Sequence, residues 1–401
     1  MNVLDKTALR PCTSCQMCGA VCASAAIVIK QNDDGFYRPY IDSTKCTECG
    51  LCTKVCPKFD KDIKLTSQEK LDTLGLYAAS AINDEIVSTT TSGGVADLLA
   101  VQFIADGYKV IGVVYDKESN NAVHCVAEGV EQTIDFRGSK YIQPYSVDAF
   151  KRLVKESRNL KFAVFGLPCQ IYAISRFLDR TKRRDNCILV DLYCHGCPSM
   201  NVWKKMSDKI RRETGLKGFD KVIWRSKLRG WGSFVLEVQN EGKRIYNSTP
   251  KHDEFFDLFF CNQVLNDSCN SCKLRGSLEY TDIRLGDFWG PDYRKTFRGV
   301  SGVSIATNRG QEMYAKIADR LKSHEMQVSS FFPYQSWDHE YSINEDLRER
   351  LLEKLRDSHT SITTIAGMLP SHNTTAYKIK TSIKQLFYYL PIRFQNLIRN
   401  S

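Results

Sequence analysis

Several motifs that would fix a function at once are missing from this sequence. There is no G-x-G-x-x-G, so a Rossmann site for NAD lacks support, and there is no P-loop. No apolar run approaches the ~18 residues that read as a membrane-spanning helix. The opening residues, Met1-Asn2-Val3-Leu4-Asp5, lack the basic-then-apolar order of a secretory signal. The net charge is +10, yet no zinc-finger spacing, nucleic-acid-binding aromatic signature or long basic run accompanies it. Nucleic acid is therefore set aside as a partner. The positive balance points instead to an acidic redox partner protein or an anionic cofactor.

What is abundant is cysteine, with sixteen in 401 residues. An oxidising compartment would turn such thiols into disulfides, so a cytoplasmic location is expected. The rest of the composition is ordinary, 42% hydrophobic and 25% charged. The length allows two or three domains and a large core.

Eight of the cysteines form two matched runs. They are Cys12-x2-Cys15-x2-Cys18-x3-Cys22 and Cys46-x2-Cys49-x2-Cys52-x3-Cys56-Pro57. Iron–sulfur clusters want soft thiolates, four to a cubane. Spacings of two residues let one tight loop wrap three sulfurs round a cluster. The fourth cysteine of each run then ligates the other cluster. One [4Fe-4S] cluster is thus assigned to Cys12, Cys15, Cys18 and Cys56, and the second to Cys46, Cys49, Cys52 and Cys22. Zinc sites use isolated C-x2-C pairs rather than matched quartets. Ala23 stands where proline usually follows the first quartet, which changes a turn and not a ligand.

The expected fold is an α+β, ferredoxin-like two-cluster module followed by a larger α/β domain with a mixed, mostly parallel sheet. The module spans 1–62, a linker 63–74, the larger domain 75–330 and a helical, basic C-terminal extension 331–401. Within the module, Ile27-Val28-Ile29 and Tyr37 to Ile41 flank Asp33-Asp34-Gly35 as a hairpin. In the larger domain, strands are expected at Leu76–Ile82, Lys109–Tyr115, Phe162–Phe165, Ile188–Tyr193 and from Ile283. Helices are expected from Val95, over Ala149–Arg158, after Gly166, and over Gly310–Ser323 from the spacing of Met313, Ile317 and Leu321. Strands alternating with helices argue for βαβ units, and ligands then bind beyond the carboxyl ends of the strands. Residues 371–401 contain basic residues and no acidic ones. Such a segment could lie on an anionic membrane at its inner face, pack as a terminal helix, or remain a partly ordered tail.

Cys169, Cys194, Cys269 and Cys272 lie in loops with Gly or Pro neighbours. From the residues alone, a third cubane and four ordinary buried thiols both stay open. Here the chain resembles the beta subunits of coenzyme F420-reducing hydrogenases and dehydrogenases, over about residues 75–325 plus the N-terminal module. The resemblance rests on Thr91-Ser92-Gly93-Gly94-Val95-Ala96, Gly138-Ser139-Lys140-Tyr141, Gly166-Leu167-Pro168-Cys169-Gln170 and Cys194-His195-Gly196, in that order. It continues with Arg225-x-Lys227-x3-Trp231, Cys269-x2-Cys272, Gly286-Asp287-Phe288-Trp289 and Gly299-Val300-Ser301 with Thr307-x2-Gly310.

The resemblance implies FAD beside a third [4Fe-4S] cluster held by Cys169, Cys194, Cys269 and Cys272. It further implies a deazaflavin such as coenzyme F420, or another two-electron carrier, as substrate; relatives also reduce chlorophyll-type pigments. Cys197 stands where relatives usually have another residue, and is read as a competing ligand or a spare thiol. The flavin pyrophosphate needs backbone N–H groups, for which Thr91, Ser92, Gly93 and Gly94 are candidates at a helix start. It also needs positive charge, for which Ser139 and Lys140 are candidates. His195 is the candidate proton donor, with a structural role as its alternative. Asp287 either orients the flavin or caps a turn. Trp231 and Trp289 either stack on the flavin or pack in the core.

The leading expectation is an iron–sulfur flavoprotein oxidoreductase that exchanges electrons with a ferredoxin-like partner. A non-catalytic electron-transfer subunit of a larger redox complex and a redox sensor are the alternatives.

Overall fold

The computed structural model describes residues 2–248, 253–293 and 296–370. The expectation of a basic surface segment at 371–401 lies outside the described residues. Among the described residues no helix is long and apolar enough to cross a membrane.

The N-terminal module is built round one antiparallel pair. Strand β1 (Ile27–Gln31) buries Ile27 and Ile29 and exposes Val28 and Lys30, the period of two that a half-buried strand requires. It pairs with β2 (Tyr37–Ile41) across a turn at Gly35, whose φ is +77°. Short helices Met17–Ala20 and Leu51–Lys54 carry the third cysteine of each run, Cys18 and Cys52.

The larger domain holds an eight-stranded sheet. Its strands are β3 (Gly75–Ala81), β4 (Lys109–Asp116), β5 (Asn121–Ala127), β6 (Phe162–Phe165), β7 (Cys187–Leu192), β11 (Ile283–Asp287), β12 (Ser301–Ile305) and β13 (Leu321–Glu325). The order is β13-β3-β12-β11-β7-β6-β4-β5. The centre, β11-β7-β6-β4, is parallel, and antiparallel strands flank it on both sides. β6 and β7 read as nearly continuous apolar runs because both faces of a parallel centre are covered. Between them runs helix Pro168–Arg180, started by a proline that needs no N–H partner at the first turn.

A second sheet of β8 (Lys221–Ser226), β9 (Val235–Asn240) and β10 (Lys243–Asn247) is wholly antiparallel. It shares a core with helices Met200–Thr214, Glu254–Phe260, Glu345–Arg356 and Ile362–Ala366.

One expectation is corrected. The helix anticipated over Gly310–Ser323 covers only Asn308–Ala315, and Leu321 opens strand β13. Leu321 sits at helical spacing from Ile317, but its backbone pairs with Ala81 at the sheet edge. Tertiary pairing overrides local periodicity there.

The module does not hang from a free tether. Cys15, Met17, Ile29 and Val55 share one apolar core with Phe150, Leu153, Ile171 and Leu178 of the larger domain. Met17 is fully buried there, a contribution of about 1.5–3 kcal/mol for a side chain of that size. The connecting segment is tied down as well: Thr66 N–H donates to the Gly276 carbonyl at 3.1 Å and Lys64 N–H to the Tyr280 hydroxyl at 3.1 Å.

Candidate electron-transfer site

All sixteen cysteines are free thiols. The two N-terminal runs fold as a structural repeat. Ser14 and Gln16 of the first adopt φ of +58° and +67°, and Glu48 and Gly50 of the second adopt +53° and +72°. Alternating left-handed residues turn successive N–H groups towards one side, the arrangement that binds anions. Gly50 adopts this conformation freely. Gln16 does so under strain, and its side chain offsets it: the amide donates to the Pro144 carbonyl at 2.7 Å and the carbonyl accepts from Ser146 N–H at 2.8 Å.

A small cavity is lined by Cys12, Cys15, Cys18 and Cys56 together with Val3, Ile29 and Val55. These are the four cysteines that spacing assigns to one cluster. Burial pushes the Cys15 thiol up to about 11, and Cys18 and Cys56 also rise. An isolated thiolate is therefore disfavoured there, and a bound cation would supply the compensating charge. Cys52 lies in the field of Cys49 and Cys22, as the second assignment requires, and Cys18 feels Cys52 across the gap between the two sets. Cys49 is exposed, so the second set reaches the surface.

The later cysteines also meet. Cys169 sits in the first turn of helix Pro168–Arg180, at the carboxyl end of β6, and Cys194 follows β7. Cys269 ends the turn at Asp267–Cys269, and Cys272 follows it. The neighbours of the Cys169 thiol are Cys15, Cys194, Cys272 and Cys269. Its sulfur also lies 4.0 Å from the Thr13 carbonyl, within the first cluster loop. Burial pushes Cys194 up to about 12. Cys269 is held down at about 7, chiefly because the Cys197 thiol donates to it. The Cys197 N–H points at the same sulfur from 3.5 Å. Among the described residues no three Cys, His, Asp or Glu side chains close on one point as a lone metal ion needs. A cubane instead spreads its thiolates over the corners of a larger body.

On the far side of Cys194 opens a cavity of about 850 Å3. It lies at the carboxyl ends of β6, β7 and β11, the place such sheets bind ligands. One end carries Cys194, His195, Cys197, Phe259, Phe260, Phe234 and Trp289. The other carries Thr90, Thr91, Ser92, Gly94, Ser139 and Lys140. The size and the apolar lining with a few polar groups are those of a cofactor site.

The anticipated cofactor residues line this cavity with one exception. Thr91, Ser92, Gly94, Ser139, Lys140, Asp287 and His195 all line it. Gly93 does not: its N–H donates to the Ser301 hydroxyl at 3.0 Å, and a β-carbon there would stand 2.3 Å from the Ala79 carbonyl oxygen. Gly93 is thus a close-packing glycine. Gly94, with φ of +87°, precedes helix Val95–Ala105, which has no side-chain cap. Its first N–H groups are left for water or a ligand.

Lys140 is neither a solvated surface lysine nor a free cation. Its ammonium donates to the carbonyls of Asp135, Phe136 and Arg137 at 3.0, 3.2 and 3.1 Å, and burial lowers it to about 7. Asp287 is likewise engaged, paired with Arg225 and accepting from the Trp231 indole at 3.1 Å. Trp231 is buried and stacks on Trp289 with centroids 4.3 Å apart; Trp289 contributes to the cavity wall.

His195 has a partner at each ring nitrogen: Asn262 Oδ1 at 2.7 Å from Nε2 and the Tyr341 hydroxyl at 3.1 Å from Nδ1. Burial holds it down at about 4, so the ring is neutral near pH 7.

Reasoning from sequence does not single out His124, Arg137 or Arg275. His124 lines the cavity, accepts from Ser146 at 2.9 Å and donates to the Phe165 carbonyl at 3.2 Å. Arg137 forks onto Asp97 at 2.7 and 3.1 Å. His124 and Arg275 stand at positions whose neighbours announce no role, and beside Arg137 it is Ser139 and Lys140 that draw the reading.

Residues 159–329 match a family described as the C terminus of the coenzyme F420 hydrogenase/dehydrogenase beta subunit. Residues 11–59 match a 4Fe-4S dicluster domain, and residues 38–127 match a second family of the same description. No curated protein matches the chain. Among solved structures, a chain of the F420-reducing [NiFe] hydrogenase complex from Methanosarcina barkeri is similar, with a TM-score of 0.48 and 19% identity over 73% of this chain and 91% of that one.

Proposed function

We propose that this chain, which matches the coenzyme F420 hydrogenase/dehydrogenase beta-subunit family over residues 159–329 and a 4Fe-4S dicluster domain ahead of it, is an iron–sulfur flavoprotein oxidoreductase. It carries electrons between a ferredoxin-like partner and a two-electron acceptor. One observation supports this most: the Cys169 thiol has both Cys15 of the first quartet and Cys194 among its neighbours, and Cys194 lines the cavity of about 850 Å3.

In this reading Cys12, Cys15, Cys18 and Cys56 hold one [4Fe-4S] cluster. Cys46, Cys49, Cys52 and Cys22 hold the second, and Cys169, Cys194, Cys269 and Cys272 a third. The cavity takes FAD, with the uncapped helix start at Gly94 and the hydroxyls of Thr91 and Ser139 at its phosphate end, while the Ser92 hydroxyl donates to the Val300 carbonyl at 2.7 Å. Phe259 and Trp289 wall the ring end. When bound, the clusters supply one-electron steps and the flavin joins these to two-electron chemistry.

The chain's own residues position and insulate. Exposed Cys49 marks the outer end, where a partner docks. Gln16 clamps the module to Pro144 and Ser146 and so fixes the spacing of the first and third sets. Lys140 closes the 135–137 backbone into a rigid rim. Asn262 and Tyr341 hold a neutral His195 that lines the cavity beside Cys194, placed to pass a proton at the reacting end.

The test is turnover by the isolated chain, purified without oxygen, with a chemical reductant and coenzyme F420 or another two-electron acceptor. Acceptor reduction supports the enzyme. Clusters and flavin that reduce fully without passing electrons on would instead support a non-catalytic subunit, a reading the exposed outer set also favours.

A further inference from the structure

Four arginines are buried in the described residues: Arg225, Arg275, Arg284 and Arg348. Three have a carboxylate partner, namely Asp287, Asp191 and Asp267. Arg275 is 2% exposed and, among the described residues, forms no ion pair. Burying a guanidinium without a counter-charge is strongly unfavourable. Something anionic is therefore called for at that point in the fold.

The bonds Arg275 does make say where. Nε donates to the Cys194 carbonyl at 3.3 Å. Nη2 donates to the carbonyls of His195 at 3.1 Å and Cys269 at 2.7 Å. Nη1 bonds the His339 carbonyl, and the guanidinium lies 4.6 Å from the centre of the Tyr341 ring. Two of the four thiols in the third set thus hang from backbone that this one side chain holds. A neutral amide could donate to some of those carbonyls without the cost of burying charge. A permanent cation is placed there instead.

We propose that Arg275 is the internal counter-ion of the third cluster: its fork fixes the Cys194 and Cys269 ligands, and its charge raises that cluster's reduction potential. This rests on the third-cluster reading above. The balance is simple. Reduction adds one electron and no proton, so the cluster gains one negative charge, and a neighbouring cation stabilises the reduced form. Arg275 is a positioning residue, since it touches ligand backbone and not substrate. The consequence for the route is directional: the cluster next to the cavity becomes a better electron acceptor than it would be without Arg275.

The experiment uses anaerobically purified full chain as wild type, Arg275→Gln and Arg275→Lys. Iron and sulfide are counted, and each cluster is titrated with a chemical reductant and followed by electron paramagnetic resonance. In wild type three clusters are expected. In Arg275→Gln all three remain and one becomes harder to reduce by at least tenfold in equilibrium constant, about 59 mV for a one-electron couple. In Arg275→Lys, which keeps the charge and loses the fork, that potential stays within a few-fold of wild type. An unchanged potential in Arg275→Gln overturns the proposal. So does a lysine variant shifted as far as the glutamine variant, because the shift would then follow the lost fork and not the charge. Should the glutamine chain not fold, the lysine variant decides: a potential within a few-fold of wild type is expected, and a shift of tenfold or more overturns the proposal. Two clusters in wild type would remove the reading on which the proposal stands, and that is seen before any variant is compared.

Discussion

Replacing Asp287 with alanine would test how the cavity wall is held. Arg225 has a side chain only 1% exposed, and Asp287 is its carboxylate partner. Removing one partner of a buried pair costs about 3–5 kcal/mol, because the other charge is left behind. Here the loss is partly offset. Arg225 keeps the Trp231 carbonyl at 2.9 Å and the Tyr141 hydroxyl at 3.3 Å, and lies 4.3 Å from the centre of the Phe234 ring. The lower end, about 3 kcal/mol, is therefore expected, or roughly 10 °C in Tm at about 2–4 °C per kcal/mol. Asp287→Asn keeps an acceptor for one donor and should lose about half as much. The double variant Arg225→Met, Asp287→Leu removes both charges and should recover most of the stability. The assay is anaerobic thermal unfolding of the holoprotein at one scan rate, read as a double-mutant cycle. Additive losses in the double variant would refute the pairing argument. If Asp287 contacted flavin directly, Asp287→Asn would also release flavin; retention is expected.

Two other outcomes follow from named contacts and a third from composition. Asp253 is fully buried and caps helix Glu254–Phe260, and burial pushes it up to about 6. Its folded value lies above its unfolded one, so stability falls as pH rises from the ordinary aspartate range through about 6, and the full penalty persists above. Asp253→Asn keeps the cap and should therefore raise Tm at pH 7.5 more than at pH 5; an equal or negative change at pH 7.5 would count against this. Gln16→Gly relieves a left-handed residue while deleting two docking bonds, so clusters should be retained while the larger domain becomes slower to reduce through the module; unchanged transfer would show the clamp to be idle. Deleting residues 371–401 should weaken binding to anionic vesicles with cluster content unchanged, and equal binding would end the membrane reading of that basic segment.

Much of the site was legible because its chemistry is carried by cysteine spacing and by glycine- and proline-marked strand ends. The two quartets, the parallel strands before Cys169 and Cys194, and the polar turn before Val95 all declare themselves locally. What stays hidden in the sequence depends on how the chain closes on itself. Lys140 reads as a phosphate ligand, but its ammonium closes on three carbonyls of residues 135–137 once that loop is folded. Gly93 reads as part of a phosphate loop and is a packing contact with β3 and β12. Arg275 carries no motif at all, and its significance lies in a missing carboxylate, which only a folded chain reveals. Strand β13 is masked by a helical spacing because edge pairing with β3 leaves no mark on the residues themselves.

The central claim is that three clusters and a flavin share this chain in series. The most direct measurement counts iron, sulfide and released flavin per chain in anaerobic wild type and in a Cys169→Ser, Cys272→Ser variant. The account predicts about twelve irons with one FAD in wild type, four for each cubane, and about eight in the variant, whose ferredoxin module is untouched. About eight irons in both, with no flavin, would contradict it and leave the larger domain a docking body for the N-terminal module.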